Sequence, residues 1–379
     1  MQHSEQTSTT FDAYRSRPRG LQDVFYRIDW LLLLTLIAII AYGLYVLYSA
    51  SGQNSGLVIR QAFRFAVGFG VIFCIILVPL RYFQKYAIIF YFLAILLLIA
   101  VLLFGTDAKG ATRWLVIPGV IRLQPSELMK LASPLFLASI LATPRGTLSI
   151  GWILLGLVVA ILPALLIGQQ PDLGTALLIG CSGLTTIFLA GLPIRYILGM
   201  LALAPPMLAV LWHFMHDYQK RRVLTLLDPS ADPLGDGWNI IQSKVAIGSG
   251  GFEGKGWLNG TQSQLDFLPE SSTDFIIAVI GEELGFKGIL VLFGLYTFLC
   301  ARGFVIAWLA PSTFGRLVAA TFTFTFFIYV FVNVAMVSGL IPVVGVPLPL
   351  VSYGGSSIVS LMAGFGFIIA IHGQRKLRR

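Results

Sequence analysis

The sequence predicts an all-α integral membrane protein with about ten transmembrane helices. Three observations carry that expectation: an apolar composition, a succession of apolar runs long enough to span a bilayer, and an uneven distribution of Lys and Arg among the loops. Of 379 residues, 57% are hydrophobic and 11% charged, and the mean hydropathy is +0.85. A soluble domain carries roughly 25% charged residues. Apolar runs lie near 30–49, 62–80, 86–104, 128–143, 151–168, 173–191, 196–215, 275–300, 317–339 and 356–372. Most are close to the ~20 residues that cross the hydrocarbon core, and the fourth is short. Residues 1–28 are polar and Arg-bearing, and the first run is longer than a signal-peptide apolar stretch, so it reads as a retained span.

Orientation follows from the cations. Arg15, Arg17, Arg19 and Arg27 precede the first span, and Arg375, Lys376, Arg378 and Arg379 follow the last. Arg81, Lys85, Arg145, Arg195, Arg302 and Arg316 fall on the same side. Ten spans therefore place both termini in the cytoplasm. The organisation is a tail at 1–28, one polytopic domain at 29–373 with a large extracytoplasmic loop (216–273) between spans seven and eight, and a basic tail at 374–379. That loop is rich in Gly, Asp and Ser but also holds Trp238, Ile240, Ile241, Trp257 and Leu265, a mix that suggests ordered structure against the membrane.

Composition also excludes. Cys74, Cys181 and Cys300 all lie in apolar runs, which argues against a disulfide framework, and the four His form no metal-ligand spacing. No nucleic-acid motif is present. Segment 248–256 is not a nucleotide-binding phosphate loop, because Ser249 stands where Gly is required and Gly256 where Ser or Thr is required.

Four polar constellations remain, all on the outer face. In QPSELMK (124–130), Pro125 and Ser126 start a helix, and Glu127 and Lys130 share one face. They form a structural ion pair, or Lys130 also meets an anionic substrate. In QQPDLGT (169–175), Asp172 caps the following helix, a role compatible with ligand contact. In SYGGSS (352–357), the glycines and Ser356 precede a helix whose free backbone N–H groups suit an anion. The large loop contributes Gln242, Ser243 and Lys255, and it closes on Asp274. There desolvation favours a general base, while an N-cap role would lower the pKa and weaken one. Glu282 and Glu283 follow within an apolar run, which marks a broken or re-entrant segment lining a cavity. Basic residues on this translocated face, including Arg113, Lys130, Lys220, Lys244 and Lys255, point to an anionic ligand.

Read together, GATRWL (110–115), QPSELMK, QQPDLGT, AIGSGGFEGKG (246–256), FLPESSTDF (267–275), GEELG (281–285) and PLPLVSYGGSS (347–357) resemble, in that order, the SEDS family (shape, elongation, division and sporulation). The match runs from the first span to the last. Thr261 to Leu265 and Gly345 to Pro349 resemble the elongation, or RodA, branch more than the division branch. The resemblance implies a peptidoglycan glycosyltransferase of the bacterial inner membrane that polymerises lipid II, an undecaprenyl-diphosphate-linked disaccharide peptide. It implies Asp274 as the catalytic acid, Glu127 and Lys130 as the buried pair, and Arg113 and Trp114 as substrate-binding residues. Asp172, Gln242, Ser243, Lys255 and Ser356 are further substrate-binding candidates. Ser271-Ser272 departs from the larger or basic pair common before Thr-Asp. The implied partner is a class B penicillin-binding protein within the elongation machinery. No cofactor or protein-held metal is required, although a Mg or Mn ion could assist. A lipid II flippase and a non-catalytic scaffold are the competing readings. Acids gathered on one face disfavour the first, and charged groups inside the membrane disfavour the second.

Overall fold

The computed structural model describes residues 25–108, 111–117, 121–142, 148–215, 217–232, 235–265, 267–355 and 357–378. Most of the tail 1–28 and the final residue therefore lie outside the described residues. Each apolar run read from the sequence is helical: α1 (Trp30–Ala50), α2 (Ser55–Leu77), α3 (Leu80–Phe104), α4 (Pro125–Leu141), α5 (Ile150–Gly168), α6 (Leu173–Leu189) and α7 (Ile194–Phe214). The large loop folds into α8 (Asp217–Leu227), a turn of 3-10 helix, α9 (Asp236–Gly250) and α10 (Thr261–Gln264). Then come α11 (Ile276–Glu283), α12 (Gly285–Trp308), α13 (Thr313–Val337) and α14 (Ser357–Arg378). Among the described residues, seven helices are long and apolar enough to cross a membrane, namely α1, α2, α3, α5, α12, α13 and α14. Polar caps set several starts. Asp29 accepts from Leu32 N at 2.9 Å, Asn54 from Leu57 N at 3.1 Å, and Ser312 from Gly315 N at 3.1 Å.

The all-α expectation needs one correction. Residues 106–123 form a small antiparallel meander, β1 (Thr106–Ala108), β2 (Ala111–Ile117) and β3 (Ile121–Leu123), paired in that order. Thr106 faces Trp114, and Val116 faces Arg122. In the sequence, Gly110 and Pro118-Gly119, residue types that favour turns, flank a stretch rich in β-formers, a local signal outweighed by the apolar runs around it.

The run near 275–300 is also not one helix. It breaks at Leu284, where Gly285 takes φ +66°, so α11 is a separate, wholly buried segment. Its end interlocks with the loop. Lys255 N and Gly256 N donate to the carbonyls of Glu282 and Glu283 at 2.9 Å, and Phe286 N returns to Gly251 O at 2.9 Å. A Cβ on Gly254, at φ +81°, would collide with the Glu283 carbonyl, so the Gly-rich sequence is a packing requirement here.

Two regions join the helices at opposite ends of the bundle. At the loop end, residues 341–355 run without helix through the interior, with Val343, Val346, Leu348, Leu350 and Val351 buried. Gly43 of α1 admits this segment, since a Cβ there would stand 2.8 Å from Leu350 O. At the tail end, Asp29 is 3% exposed, takes two hydrogen bonds from Arg302 of α12 (3.1 and 2.6 Å to Oδ2), and has His372 of α14 at 3.3 Å. Burial pushes its carboxyl up, but the Arg302 and Leu32 hydrogen bonds and nearby positive charge outweigh this and hold it below the ordinary carboxylate range.

Breaking such a buried pair costs about 3–5 kcal/mol. Asp29→Ala is therefore expected to lower the melting temperature of the detergent-solubilised protein clearly at neutral pH. Because the folded pKa is depressed, the stabilisation is present above the ordinary carboxylate pKa and fades as pH falls through the folded value. The gap between wild type and variant should narrow on acidification, and a pH-independent gap would contradict the assignment.

Candidate active site

Asp274 sits at the loop end, half-buried, one residue before the cap of α11. Phe275 holds that cap position and no side chain caps the helix, so of the two readings of this carboxylate the capping one does not describe it. The backbone around it is held from two sides. Asn333 Nδ2 of α13 donates to Asp274 O at 2.8 Å and to Val346 O at 2.7 Å. Ser352 Oγ donates to Thr273 O at 2.5 Å and accepts from Leu348 N at 2.8 Å. Tyr353 N donates to Ser272 O at 2.8 Å. Gly345 lies against the carboxylate itself, where a Cβ would stand 3.6 Å from Asp274 Oδ2. The motifs STDF and PLPLVSYGG, about 75 residues apart in the chain, thus form one unit.

The other candidates cluster around it as pairs. Glu127 and Lys130, on the first turns of α4, meet at 2.7 Å, and the Ser360 hydroxyl donates to the second carboxylate oxygen at 2.5 Å. The Lys130 ammonium lies 5.4 Å from the ring centroid of Tyr329. Both residues line a cavity under the buried segment, shared with Thr175, Pro347, Ser352 and Gly354. Asp172 caps α6 through Thr175 N at 3.3 Å, as its position in the sequence implies. Its Oδ2 stands 3.8 Å from Arg113 Nε, and Arg113 also donates to Pro171 O. Gly174 faces the carbonyl of Val344, which places the start of α6 against the same segment. Trp114 is half-buried beside Arg113 on β2.

The loop candidates divide. Lys255 is paired with Glu282 at 2.7 Å and with Thr261 Oγ1 at 2.8 Å. Glu282 is fully buried and accepts as well from Thr261 N at 2.8 Å and Gln262 N at 3.1 Å. Glu283 accepts from Ser49 Oγ of α1 at 2.6 Å. These two acids, suggestive of a cavity lining, instead bind the loop to the bundle. Ser243 is turned inward and fully buried, its hydroxyl within hydrogen-bond reach of Ile240 O at 2.9 Å and Val337 O at 2.8 Å. Gln242 beside it is half-buried. Ser356 lies outside the described residues. No group of three His, Cys, Asp or Glu side chains gathers among the described residues.

Sequence reasoning missed Asn333, Ser352 as a backbone brace, Tyr329 and Gln61. Gln61 of α2 is fully buried and donates to Ser352 O at 2.9 Å. The signal was present for two of them: Asn333 and Gln61 are isolated amides within or beside apolar runs, and an amide buried at such depth has a backbone or ligand partner.

Comparison with known proteins identifies the family. Residues 26–377 match the FtsW/RodA/SpoVE family, described as cell cycle proteins. The chain is 50% identical over 354 residues to the peptidoglycan glycosyltransferase MrdB of Escherichia coli K12, covering 92% of this chain and 95% of that one. It is 37% identical to a probable peptidoglycan glycosyltransferase FtsW of Trichlorobacter lovleyi, covering 92% and 94%. Among solved structures, it resembles a chain of a peptidoglycan synthase complex that coordinates polymerization and crosslinking, with TM-score 0.80, 33% identity and coverage of 92% and 98%. It also resembles the rod shape determining protein RodA of Thermus thermophilus, with TM-score 0.69, 30% identity and coverage of 92% and 97%. Match, identity and fold together make the chain a member of the FtsW/RodA/SpoVE (SEDS) family.

Proposed function

We propose that this chain polymerises lipid II as a peptidoglycan glycosyltransferase of cell elongation. The observation that carries the reading is the fixed placement of Asp274. Its backbone is braced by Asn333 and its neighbours' by Ser352 and Tyr353, while the carboxylate remains half-exposed. That is the arrangement a positioned general base needs. In the proposed reaction the acceptor sugar hydroxyl attacks the anomeric carbon of the lipid-linked chain. Its proton passes to the Asp274 carboxylate. The bond from the anomeric carbon to the diphosphate oxygen breaks, and the electron pair leaves with undecaprenyl diphosphate. One displacement converts the α-linked donor to a β-linkage.

The same reading holds ten spans, with α4, α6 and α7 joining the seven helices named above, and cytoplasmic termini in the bacterial inner membrane. A class B penicillin-binding protein supplies crosslinking, in keeping with the likeness to a synthase complex. No bound cofactor is needed. A magnesium or manganese ion would enter with the substrate diphosphate, whose oxygens are its preferred ligands. The flippase alternative calls for head-group-binding groups at both ends of the bundle. At the tail end Asp29 is buried and bound to Arg302.

Asp274→Asn is expected to lower glycan polymerisation from purified lipid II by at least ~10²-fold, the scale of a lost general base, with the melting temperature unchanged. Full activity would exclude the proposed role. For the Glu127–Lys130 pair, Lys130→Met should destabilise by about 3–5 kcal/mol, because it leaves Glu127 buried without its cation. Glu127→Gln combined with Lys130→Met should recover most of that loss in thermal unfolding, and a double variant as unstable as the single one would show that the pair is not the source.

A further inference from the structure

The reaction above needs positive charge where the diphosphate departs, and three of the cations nominated from sequence are already matched by carboxylates. Arg113 faces Asp172, Lys130 faces Glu127, and Lys255 faces Glu282. A different pair stands beside the Ser352–Gly355 turn. Arg60 and Arg64 lie one turn apart on α2 and share a face. Arg64 Nη1 donates to Gly354 O at 2.8 Å and Nη2 to the Tyr353 hydroxyl at 3.2 Å, with the guanidinium 4.6 Å from the Tyr353 ring centroid. Among the described residues no carboxylate pairs with either guanidinium. Like charges at this spacing repel, so the pair is held together for an anion that is not part of the chain.

The surroundings specify that anion further. Gln61, between the two arginines in sequence, docks α2 on the turn through Ser352 O at 2.9 Å and Gly354 N at 3.3 Å. Tyr353 N in turn bonds Ser272 O, two residues or at most ~7 Å of chain from Asp274. Beyond the turn the space is open: a Cβ on Gly355 would meet nothing within 4 Å. The outward face of α2 next to the arginines is an apolar stripe, with Ile59, Phe63 and Val67 at 68%, 69% and 42% exposure. Burial pushes the Tyr353 hydroxyl up, but Arg64 and Arg60 outweigh it and leave it below the ordinary phenol range, a local sign of positive field.

We propose that Arg60 and Arg64 form the subsite for the lipid-linked diphosphate, with the polyprenyl chain lying along Ile59, Phe63 and Val67. The inference rests on the glycosyltransferase reading and names the groups that receive its leaving group. As the anomeric bond breaks, its electron pair settles on the diphosphate, and two guanidinium forks stabilise that charge. An anionic phospholipid head group shares this chemistry, so the test separates the two.

The test uses the full chain in phosphatidylcholine nanodiscs, with undecaprenyl diphosphate as the probe and phosphatidylglycerol as competitor. Arg60→Gln removes a charge that makes no backbone bond and so leaves the turn in place, whereas Arg64→Lys keeps a charge but loses the fork and its bond to Gly354 O, so the melting temperature of each variant is measured alongside. Each is expected to weaken probe binding by about tenfold or more and to lower polymerisation kcat/KM in proportion, with phosphatidylglycerol failing to displace the probe. Wild-type binding in both variants, or displacement by phosphatidylglycerol, would overturn the proposal. Asp274→Asn should bind the probe as wild type does while losing polymerisation. Retained polymerisation in that variant would fault the glycosyltransferase reading and leave the binding result for the arginines to stand.

Discussion

The structure depends on satisfying an irregular backbone inside a helical bundle. Residues 341–355 carry amide and carbonyl groups that have no helical partner, and hydrocarbon offers none. Several are met by side chains of neighbouring helices. Asn333 takes Val346 O, Tyr296 takes Pro349 O at 2.6 Å, Gln61 takes Ser352 O, and Arg64 takes Gly354 O. Two groups link this segment to the residues around Asp274: Asn333 also donates to Asp274 O, and the Ser352 hydroxyl, which accepts from Leu348 N, donates to Thr273 O. The requirement that buried polar groups be paired is therefore what places the acid. Folding and catalysis draw on the same hydrogen bonds.

Charge follows a related logic. Three pairs of buried or half-buried ions are matched, Glu127 with Lys130, Asp172 with Arg113 and Glu282 with Lys255. Matched pairs keep desolvated charge tolerable and specify geometry. They leave little field for an incoming anion, so the electropositive groups of α2 acquire their role by contrast. The same comparison recasts the loop. Its lysine and the two acids of GEELG bind α11, the loop and α1 together, and so set the platform from which Asp274 projects.

Much of this was legible in the sequence. Apolar run lengths located the helices, three-residue spacing paired Glu127 with Lys130, and Asp172 was read correctly as a cap. The ordered loop followed from its tryptophans, and Trp257 indeed stacks on Tyr45 of α1 at 4.6 Å. What escaped has physical reasons. The meander of 106–123 is short and sits between strong helical signals. Ser243 is polar by type, but its orientation depends on helix rotation against α13, which composition does not encode. Compensation of Lys255 by Glu282 joins residues 27 apart and exists only in three dimensions. Arg60 and Arg64 lie at the start of a span, where cations look like boundary markers.

The central claim is that the buried segment and α13 hold Asp274 in a reactive position. Single-turnover polymerisation of lipid II by Asn333→Leu, measured with substrate affinity and melting temperature alongside, tests it most directly. The substitution removes the bonds to Asp274 O and Val346 O and puts an apolar side chain of similar size in place of the amide. A misplacement of about 1 Å costs on the order of 10²-fold in rate, so the account predicts a loss of that size in the chemical step with lipid II binding retained. A wild-type rate in a folded Asn333→Leu protein would contradict it.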